Sequence, residues 1–215
     1  MHGRYWQQRW EENRIGFHQQ DINPYLIRYL PELGLRSDAH IFVPLCGKSL
    51  DLLWLRKQGF RVTGIELSQI AVEAFFAENH LQPHISEDSR FKIYEVDNLR
   101  IICGDFFELN KQDIRSIDAI YDRAALIAMN DDLRKKYAVQ ITNLFTEHQR
   151  MLLLTIFFSG KEESGPPFSV DSNAVHQLYG SRWKIRELSE NMRCQSASNE
   201  DKPERCDQIY TLQRF

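Results

Sequence analysis

From residue 41 onward, short apolar runs rich in β-branched residues alternate with longer segments in which apolar residues recur at helical spacing. This alternation predicts parallel strands joined by crossover helices, as in a doubly wound α/β sheet. The seven predicted strands are Ile41 to Leu45, Arg61 to Leu67, Leu99 to Cys103, Ile117 to Tyr121, Met151 to Phe158, Trp183 to Leu188 and Gln208 to Leu212. The last two are expected to pair antiparallel, since the polar stretch between them does not clearly form a crossover helix.

Helices are predicted between these strands. Ser49 and Ser68 follow the first two strands and are expected to cap the helices that come next. Two further helices are predicted over Asp131 to Phe145 and Ser172 to Tyr179. Residues 1–40 form an amphipathic extension that we expect to pack over the ligand-binding edge of the sheet. No repeat or shift in composition marks a boundary, so residues 1–215 are predicted to form a single domain.

The composition of the chain disfavours several classes of partner and of structural support. The 215 residues include 27 Lys plus Arg and 30 Asp plus Glu, and the formal net charge of −3 disfavours nucleic acid and anionic membranes as partners. There is no apolar run of about 18 residues and no signal-peptide pattern. The cysteines form no CxxC motif, which predicts reduced thiols, no disulfide framework and no metal site. We therefore expect a cytoplasmic protein, and we also expect it to be a monomer. The four cysteines are Cys46, Cys103, Cys194 and Cys206.

The carboxyl ends of the first two predicted strands carry the first candidate chemistry, because ligands of open parallel sheets bind there. Glu66 ends the second strand and lies 19 residues after Gly47, the spacing of an acid that accepts hydrogen bonds from a ribose diol. Alternatively, Glu66 only begins a helix, where negative charge suits the macrodipole. Gly47 is the single glycine of the turn, so the glycine-rich phosphate loops are absent. S-adenosylmethionine, an adenosine cofactor without phosphate, fits this pattern.

The ends of the third and fourth strands also carry polar and aromatic residues. Asp105 and Phe106 follow the third strand and are predicted to face the adenine, although Asp105 could instead cap a helix. Arg123 follows the fourth strand and could pair with the carboxylate of the cofactor or of an acidic substrate. Alternatively, Asp122 forms a solvent-exposed salt bridge with a neighbour of Arg123, and these charges have no role in ligand binding.

Six blocks of the sequence closely resemble the thiopurine S-methyltransferase family, particularly its bacterial branch. They are RWEENRIGFH (9–18), IFVPLCGKSLDLLWL (41–55), VTGIELSQIAVEAFF (62–76), CGDFFEL (103–109), DAIYDRAALIAM (118–129) and SGPPFSV (164–170). The resemblance implies a class I S-adenosylmethionine-dependent methyltransferase (Rossmann-like) fold, with a mostly parallel seven-stranded sheet whose last strand is antiparallel. It also implies transfer of the methyl group of S-adenosylmethionine to an aromatic or heterocyclic thiol such as a thiopurine.

The resemblance also implies roles for individual residues. The positions matching those that contact the cofactor in the family are Trp10, Leu45, Glu66, Asp105, Phe106 and Arg123. The positions matching those near the acceptor are Phe17, Pro167 and Phe168. Arg123 is also the candidate for positioning the thiolate. A second basic residue near the acceptor could be Arg193, Lys202 or Arg205.

Three other functions stay open at this point. The bacterial branch is associated with methylation of selenium and tellurium species, so chalcogen detoxification is one alternative for the acceptor. A second alternative is methylation of a nitrogen or oxygen of a small metabolite, for which His18 is the only obvious base near the acceptor position. A third is a module that binds S-adenosylmethionine without catalysis.

Overall fold

The computed structural model describes residues 2–114, 116–159, 165–188, 194–195 and 204–215. In these segments no helix is long and apolar enough to cross a membrane. The helices are α1 (His2–Glu11), α2 (Pro24–Tyr29), α3 (Asp51–Lys57), α4 (Gln69–Glu78), α5 (Asp131–Leu144) and α6 (Ser172–Tyr179), with 3-10 turns at Leu30–Leu33, Phe106–Glu108 and Leu126–Ala128. The strands are β1 (His40–Val43), β2 (Arg61–Glu66), β3 (His84–Glu87), β4 (Lys92–Val96), β5 (Leu99–Cys103), β6 (Ala119–Arg123), β7 (Arg150–Ser159), β8 (Trp183–Glu187), β9 (Cys194–Gln195) and β10 (Glu204–Arg214).

The chain divides into two compact units, and the first is Met1–Ala119. Its strands lie in the order β3-β4-β5-β2-β1. β2 pairs parallel with both β1 and β5, whereas β4 pairs antiparallel with β5 and with β3. Five of the six residues of β2 are buried, as expected for a parallel strand covered on both faces. The carboxyl ends of β1, β2 and β5 therefore meet at one edge of this unit.

The predicted cap of α4 is confirmed and that of α3 is wrong. Ser68 is the N-cap of α4, and its hydroxyl accepts the amide hydrogen of Ala71. In contrast, α3 begins one residue later than predicted, with Leu50 at its N-cap. The Ser49 hydroxyl accepts the amide hydrogen of Asp51 at 3.2 Å, so it closes the turn before the helix instead of capping its first turn.

The second unit, Ile120–Phe215, contains the other predicted strands and helices. Its strands lie in the order β6-β7-β10-β8, and β9 pairs with β10. β10 runs antiparallel to β7 and β8, which confirms the antiparallel pairing predicted for the last two strands. α5 and α6 have the predicted bounds to within one residue, and the side chains of Asn130 and Asp171 cap them.

All seven predicted strands are present, and three others were not predicted. β3, β4 and β9 add antiparallel pairs, so the strand pairing is mixed. All four residues of β3 are exposed, which explains why the strand leaves no apolar pattern in the sequence. The α/β class of the fold is as predicted.

Cys206 departs from the expectation of four reduced thiols. It is buried in β10 and disulfide-bonded, whereas Cys46 and Cys103 are free. The pairing of β9 with β10 places the backbone of Cys194 opposite that of Cys206. The expectation was wrong because strand pairing brings these positions together, and their spacing in the sequence does not reveal it.

Candidate functional site

The turn after β1 contains two residues in the left-handed backbone region, which residues other than glycine rarely adopt. Leu45 and Gly47 both have positive φ, at 47° and 53°, and the amide of Cys46 between them donates to the carbonyl oxygen of Ile65 in β2 at 2.9 Å. Left-handed geometry is unfavourable for leucine, and such strained residues cluster at functional sites. The turn therefore has one bare glycine and one constrained leucine at the predicted cofactor position.

Glu66 connects this turn with the turn after β2. It ends β2, is 6% exposed, and its two carboxylate oxygens accept the amide hydrogens of Gly47 at 2.9 Å and Ser68 at 2.8 Å. Burial raises the pKa of Glu66, while the amides of Ser68, Gly47 and Leu67 partly oppose the rise. A carboxylate has about four lone-pair sites, so these two bonds leave capacity for the hydroxyl groups of a ribose.

Asp105 and Phe106 follow β5, the neighbour of β2. Asp105 is exposed, and its carboxylate accepts the amide hydrogen of Phe107 at 2.9 Å. It thereby caps the 3-10 turn that follows, which is the second of the two roles predicted for it. Phe106 is 4% exposed and packs edge-on against Phe107. The contact of Asp105 and Phe106 with adenine stays a prediction.

Trp10 packs on the cofactor turn. Its side chain is 7% exposed, and its Cζ2 atom lies 3.3 Å from the position that a Cβ on Gly47 would occupy. Phe17 packs edge-on against Trp10, with ring centroids 5.5 Å apart. Nearby, the amide of Asn23 donates to the buried carboxylate of Asp51 at 2.8 Å. Residues of the N-terminal extension thus pack on the part of the first unit that follows β1.

A cavity of about 430 Å³ lies in the first unit, at the ends of β2 and β5. Its lining includes Leu67 and Ser68 after β2, Cys103 and Gly104 at the end of β5, and Phe91 from the segment between β3 and β4. The segment from β3 to β4, which the sequence did not predict as strands, therefore forms one wall.

Gly104→Ala is expected to lower the free energy of unfolding by about 1–3 kcal/mol, the usual cost of overpacking. An added Cβ would lie 2.5 and 3.0 Å from ring atoms of Phe91 and 3.2 Å from the carbonyl oxygen of Arg90. Gly16→Ala is the matched control, because a Cβ there meets nothing within 4 Å. Urea unfolding of both variants tests this, and equal losses would contradict the close packing at Gly104.

Arg123 lies in the second unit, where it ends β6 and is half-buried. The preceding residue, Asp122, is fully buried, so the exposed salt bridge considered for it is wrong. Its carboxylate accepts hydrogen bonds from the Tyr137 hydroxyl at 2.8 Å and the Leu126 amide at 3.4 Å. Burial raises the pKa of Asp122 to about 6, although these bonds oppose the rise. Asp122 thus anchors the turn after Arg123, where Ala124 has a φ of 68°.

The predicted acceptor residues are divided between the two units. Phe17 lies in the first unit, while Pro167, which is exposed, and Phe168 lie in the second. The amide of Phe168 donates to the carbonyl oxygen of Ile127 at 2.7 Å. The proximity of these residues to an acceptor stays a prediction.

Of the three basic residues considered near the acceptor, Arg193 and Lys202 lie outside the described residues. Arg205 is exposed and pairs with Asp207 at 3.3 Å. A second basic residue near the acceptor stays a prediction.

The structure brings Trp10, Leu45 and Glu66 to one turn of the first unit, around Gly47. The sequence did not predict the surroundings of two charged side chains. Arg9 packs among aromatic rings beside Phe17, and Asp122 is buried against Tyr137. The i, i+4 spacing of Tyr5 and Arg9 is the only sequence pattern that could have indicated the contacts of Arg9. No residue near Asp122 in the sequence indicates that it is buried.

Comparisons with known proteins agree on one family. The family model described as Thiopurine S-methyltransferase (TPMT) matches residues 1–214. A thiopurine S-methyltransferase of Pseudomonas fluorescens is 46% identical over 190 residues, which cover 88% of this chain and 87% of that protein. One from Pseudomonas syringae pv. tomato is 43% identical over 217 residues, covering 100% and 99%. These findings confirm the resemblance seen in the sequence.

Solved structures agree on the fold. The 1,6-didemethyltoxoflavin-N1-methyltransferase of Burkholderia thailandensis, crystallised with 1,6-didemethyltoxoflavin and S-adenosylhomocysteine, matches with a TM-score of 0.68 at 13% identity. The match covers 99% of this chain and 86% of that chain. The predicted class I methyltransferase fold is thereby confirmed.

Proposed function

Since the chain belongs to the thiopurine S-methyltransferase family, we propose that it methylates the sulfur of aromatic or heterocyclic thiols such as thiopurines. It is a methyltransferase, and its methyl donor is S-adenosylmethionine. The observation that carries the proposal is the Glu66 carboxylate, which ends β2 and joins it to the single-glycine turn after β1. This arrangement suits a nucleoside without phosphate.

The residues of the first unit fit this donor. Glu66 has acceptor capacity left for the ribose hydroxyls, and Gly47, which has no side chain, lets Trp10 lie close to the turn. Trp10 covers the turn with an apolar face, as a lid over the cofactor would. The residues proposed to bind the donor are Trp10, Leu45, Glu66, Asp105, Phe106 and Arg123.

The proposed chemistry needs no strong base from the protein. When bound, the donor supplies a methyl group on a positively charged sulfonium sulfur. Phe17 in the first unit, and Pro167 and Phe168 in the second, are each proposed to contact the acceptor with apolar atoms, which would not hydrate the reacting sulfur. Arg123 would favour the thiolate over the thiol, whose proton goes to solvent. A new carbon–sulfur bond then replaces the sulfonium bond, and the opposite charges cancel.

We propose that residues 1–215 form one methyltransferase domain, with residues 1–40 packing over the cofactor edge. The match of the family model to residues 1–214 and the contact of Trp10 with the turn at Gly47 support this. The monomeric state, the cytoplasmic location and the absence of nucleic acid and membrane partners remain predictions.

The first test is formation of S-adenosylhomocysteine by the purified protein, assayed with S-adenosylmethionine and one acceptor at a time. The acceptors are 6-mercaptopurine, an aliphatic thiol, selenite and tellurite, with an assay lacking acceptor as the control. Turnover with the aromatic thiol supports the proposal, and turnover with the oxyanions would add chalcogen methylation. Cofactor binding without turnover in any assay would redirect the search to nitrogen or oxygen acceptors or to a binding module.

Trp10→Phe is expected to remove most of the change in tryptophan fluorescence that S-adenosylhomocysteine causes. It should also weaken binding by about 3- to 10-fold, because a smaller ring covers less of the turn at Gly47. Trp6→Phe is the matched control on the same helical face, since Trp6 packs against Tyr5 and Phe17. A titration of Trp10→Phe that matches the wild type would show that Trp10 is not a lid.

A further inference from the structure

Arg9 in α1 is held between aromatic rings. Its guanidinium carbon lies 5.6 Å from the ring centroid of Tyr5 and 5.8 Å from that of Phe17. Its Nη1 atom donates to the Tyr5 hydroxyl at 3.2 Å. The Nε atom is buried and has no hydrogen-bond partner. The Tyr5 hydroxyl therefore accepts one hydrogen of Nη1, and the hydrogen of the buried Nε has no acceptor among the described residues.

The charge of Arg9 is not neutralised by a close carboxylate. Within the described ranges, no carboxylate oxygen lies within 4.0 Å of its guanidinium nitrogens. The hydrogen bond from Gln8, at 2.7 Å, lowers the pKa of Glu12 most, and the charge of Arg9 contributes least. Glu12 also pairs with Arg14. A guanidinium presents a rigid fork of donors that matches a planar anion.

The position of Arg9 relates it to the proposed site. Phe17, whose ring Arg9 contacts, is 37% exposed and also packs on Trp10. Trp10 in turn packs on Gly47 of the cofactor turn. One aromatic ring therefore separates the Arg9 cation from the Trp10 lid, and all four residues belong to the first unit.

We propose that Arg9 binds an anionic substituent on the ring of the acceptor, such as a carboxylate, while Phe17 contacts the face of that ring. The inference rests on the proposed function and narrows its acceptors to aromatic thiols that carry a negative group besides the sulfur. Arg9 takes no part in bond making. The acceptor sulfur forms the new bond to carbon as the sulfonium bond breaks, and Arg9 fixes the far side of the ring.

The test compares two acceptors that differ in charge, 4-mercaptobenzoate and its methyl ester. Arg9→Met keeps much of the aliphatic stem and should lower kcat/KM for the carboxylate about 10-fold or more, mainly through KM. The ester should change less than 2-fold. Arg9→Lys should fall between wild type and Arg9→Met, since an ammonium lacks the planar fork. Arg4→Met is the matched control, because Arg4 is exposed on the same helix.

Binding of the methylated product, 4-(methylthio)benzoate, gives a readout without turnover. With S-adenosylhomocysteine present, Arg9→Met should bind this product about 10-fold more weakly than wild type or Arg4→Met. Equal losses for carboxylate and ester, unchanged product binding in Arg9→Met, or no product binding by the wild type would each overturn the proposal. If Arg9→Met does not fold, the same comparison with Arg9→Lys decides. A wild type that binds the product but methylates no thiol would instead overturn the proposed function.

Discussion

Glu66→Ala is expected to weaken binding of S-adenosylhomocysteine by about 1.5–3 kcal/mol, or about 10- to 150-fold, the worth of hydrogen bonds to a charged group. The substitution removes the acceptor proposed for the ribose hydroxyls. It also leaves the amides of Gly47 and Ser68 without the oxygens that accept from them at 2.9 and 2.8 Å. The free energy of unfolding should therefore fall as well, by about 1–3 kcal/mol for each amide that stays buried and unpaired.

Isothermal titration calorimetry and urea unfolding would separate the two effects of this substitution. Glu66→Gln is the informative control, because it has nearly the same shape and keeps one carbonyl oxygen that accepts from either amide. We expect its stability to lie between those of wild type and Glu66→Ala, because its NH2 group cannot accept from the second backbone amide. We expect its affinity for S-adenosylhomocysteine to be reduced. If Glu66→Ala binds S-adenosylhomocysteine as tightly as wild type, Glu66 has a structural role only, and the proposed cofactor site is wrong.

The order of strands and helices could be predicted because each element buries one face or two. β7 is recognisable since residues buried on both faces give a nearly continuous apolar run, and β2 is recognisable by its β-branched residues. The start of α4 follows from Ser68, whose side chain completes the helix by a local hydrogen bond. The place of Glu66 then follows from topology, because the end of a parallel strand next to β1 lies at the edge where open parallel sheets bind ligands.

The remaining features depend on contacts between distant residues. β3 is exposed throughout and is held by pairing with β4, so its side chains carry no pattern. The guanidinium of Arg9 meets Phe17 only because the chain turns back after α1. The burial of Asp122 depends on Tyr137, which comes 15 residues later in α5. A charged residue is expected to face solvent, and only the packed structure shows that this one does not.

Asp122→Asn is expected to stabilise the protein at neutral pH. Burial raises the pKa of Asp122 to about 6, against the bonds from Tyr137, Leu126 and Ala125, whereas in an unfolded chain the value is about 3.9. Between these values the folded protein binds a proton that the unfolded chain does not. The stabilisation by protonated Asp122 is thus fully present below about pH 4 and is lost as the pH rises through about 6. The loss is about 3 kcal/mol in the wild type and is absent from the asparagine variant.

Asp122→Asn and wild type differ in only one titrating side chain. Any pH dependence of the difference between their free energies of unfolding therefore comes from Asp122. The free energy of unfolding of Asp122→Asn minus that of wild type should increase by about 2.4 kcal/mol from pH 4 to pH 7.5. Tyr137→Phe removes the bond from the hydroxyl that lowers the pKa of Asp122, so its own loss of stability should be centred at a higher pH than that of wild type. A difference in the free energy of unfolding between Asp122→Asn and wild type that stays constant over this range would show that Asp122 titrates alike in the folded and unfolded chains.

The expected result would mean that the protein keeps an ionised Asp122 at neutral pH despite its cost in stability. Ionised Asp122 would then serve to fix the turn that follows Arg123, one of the residues proposed to bind the donor.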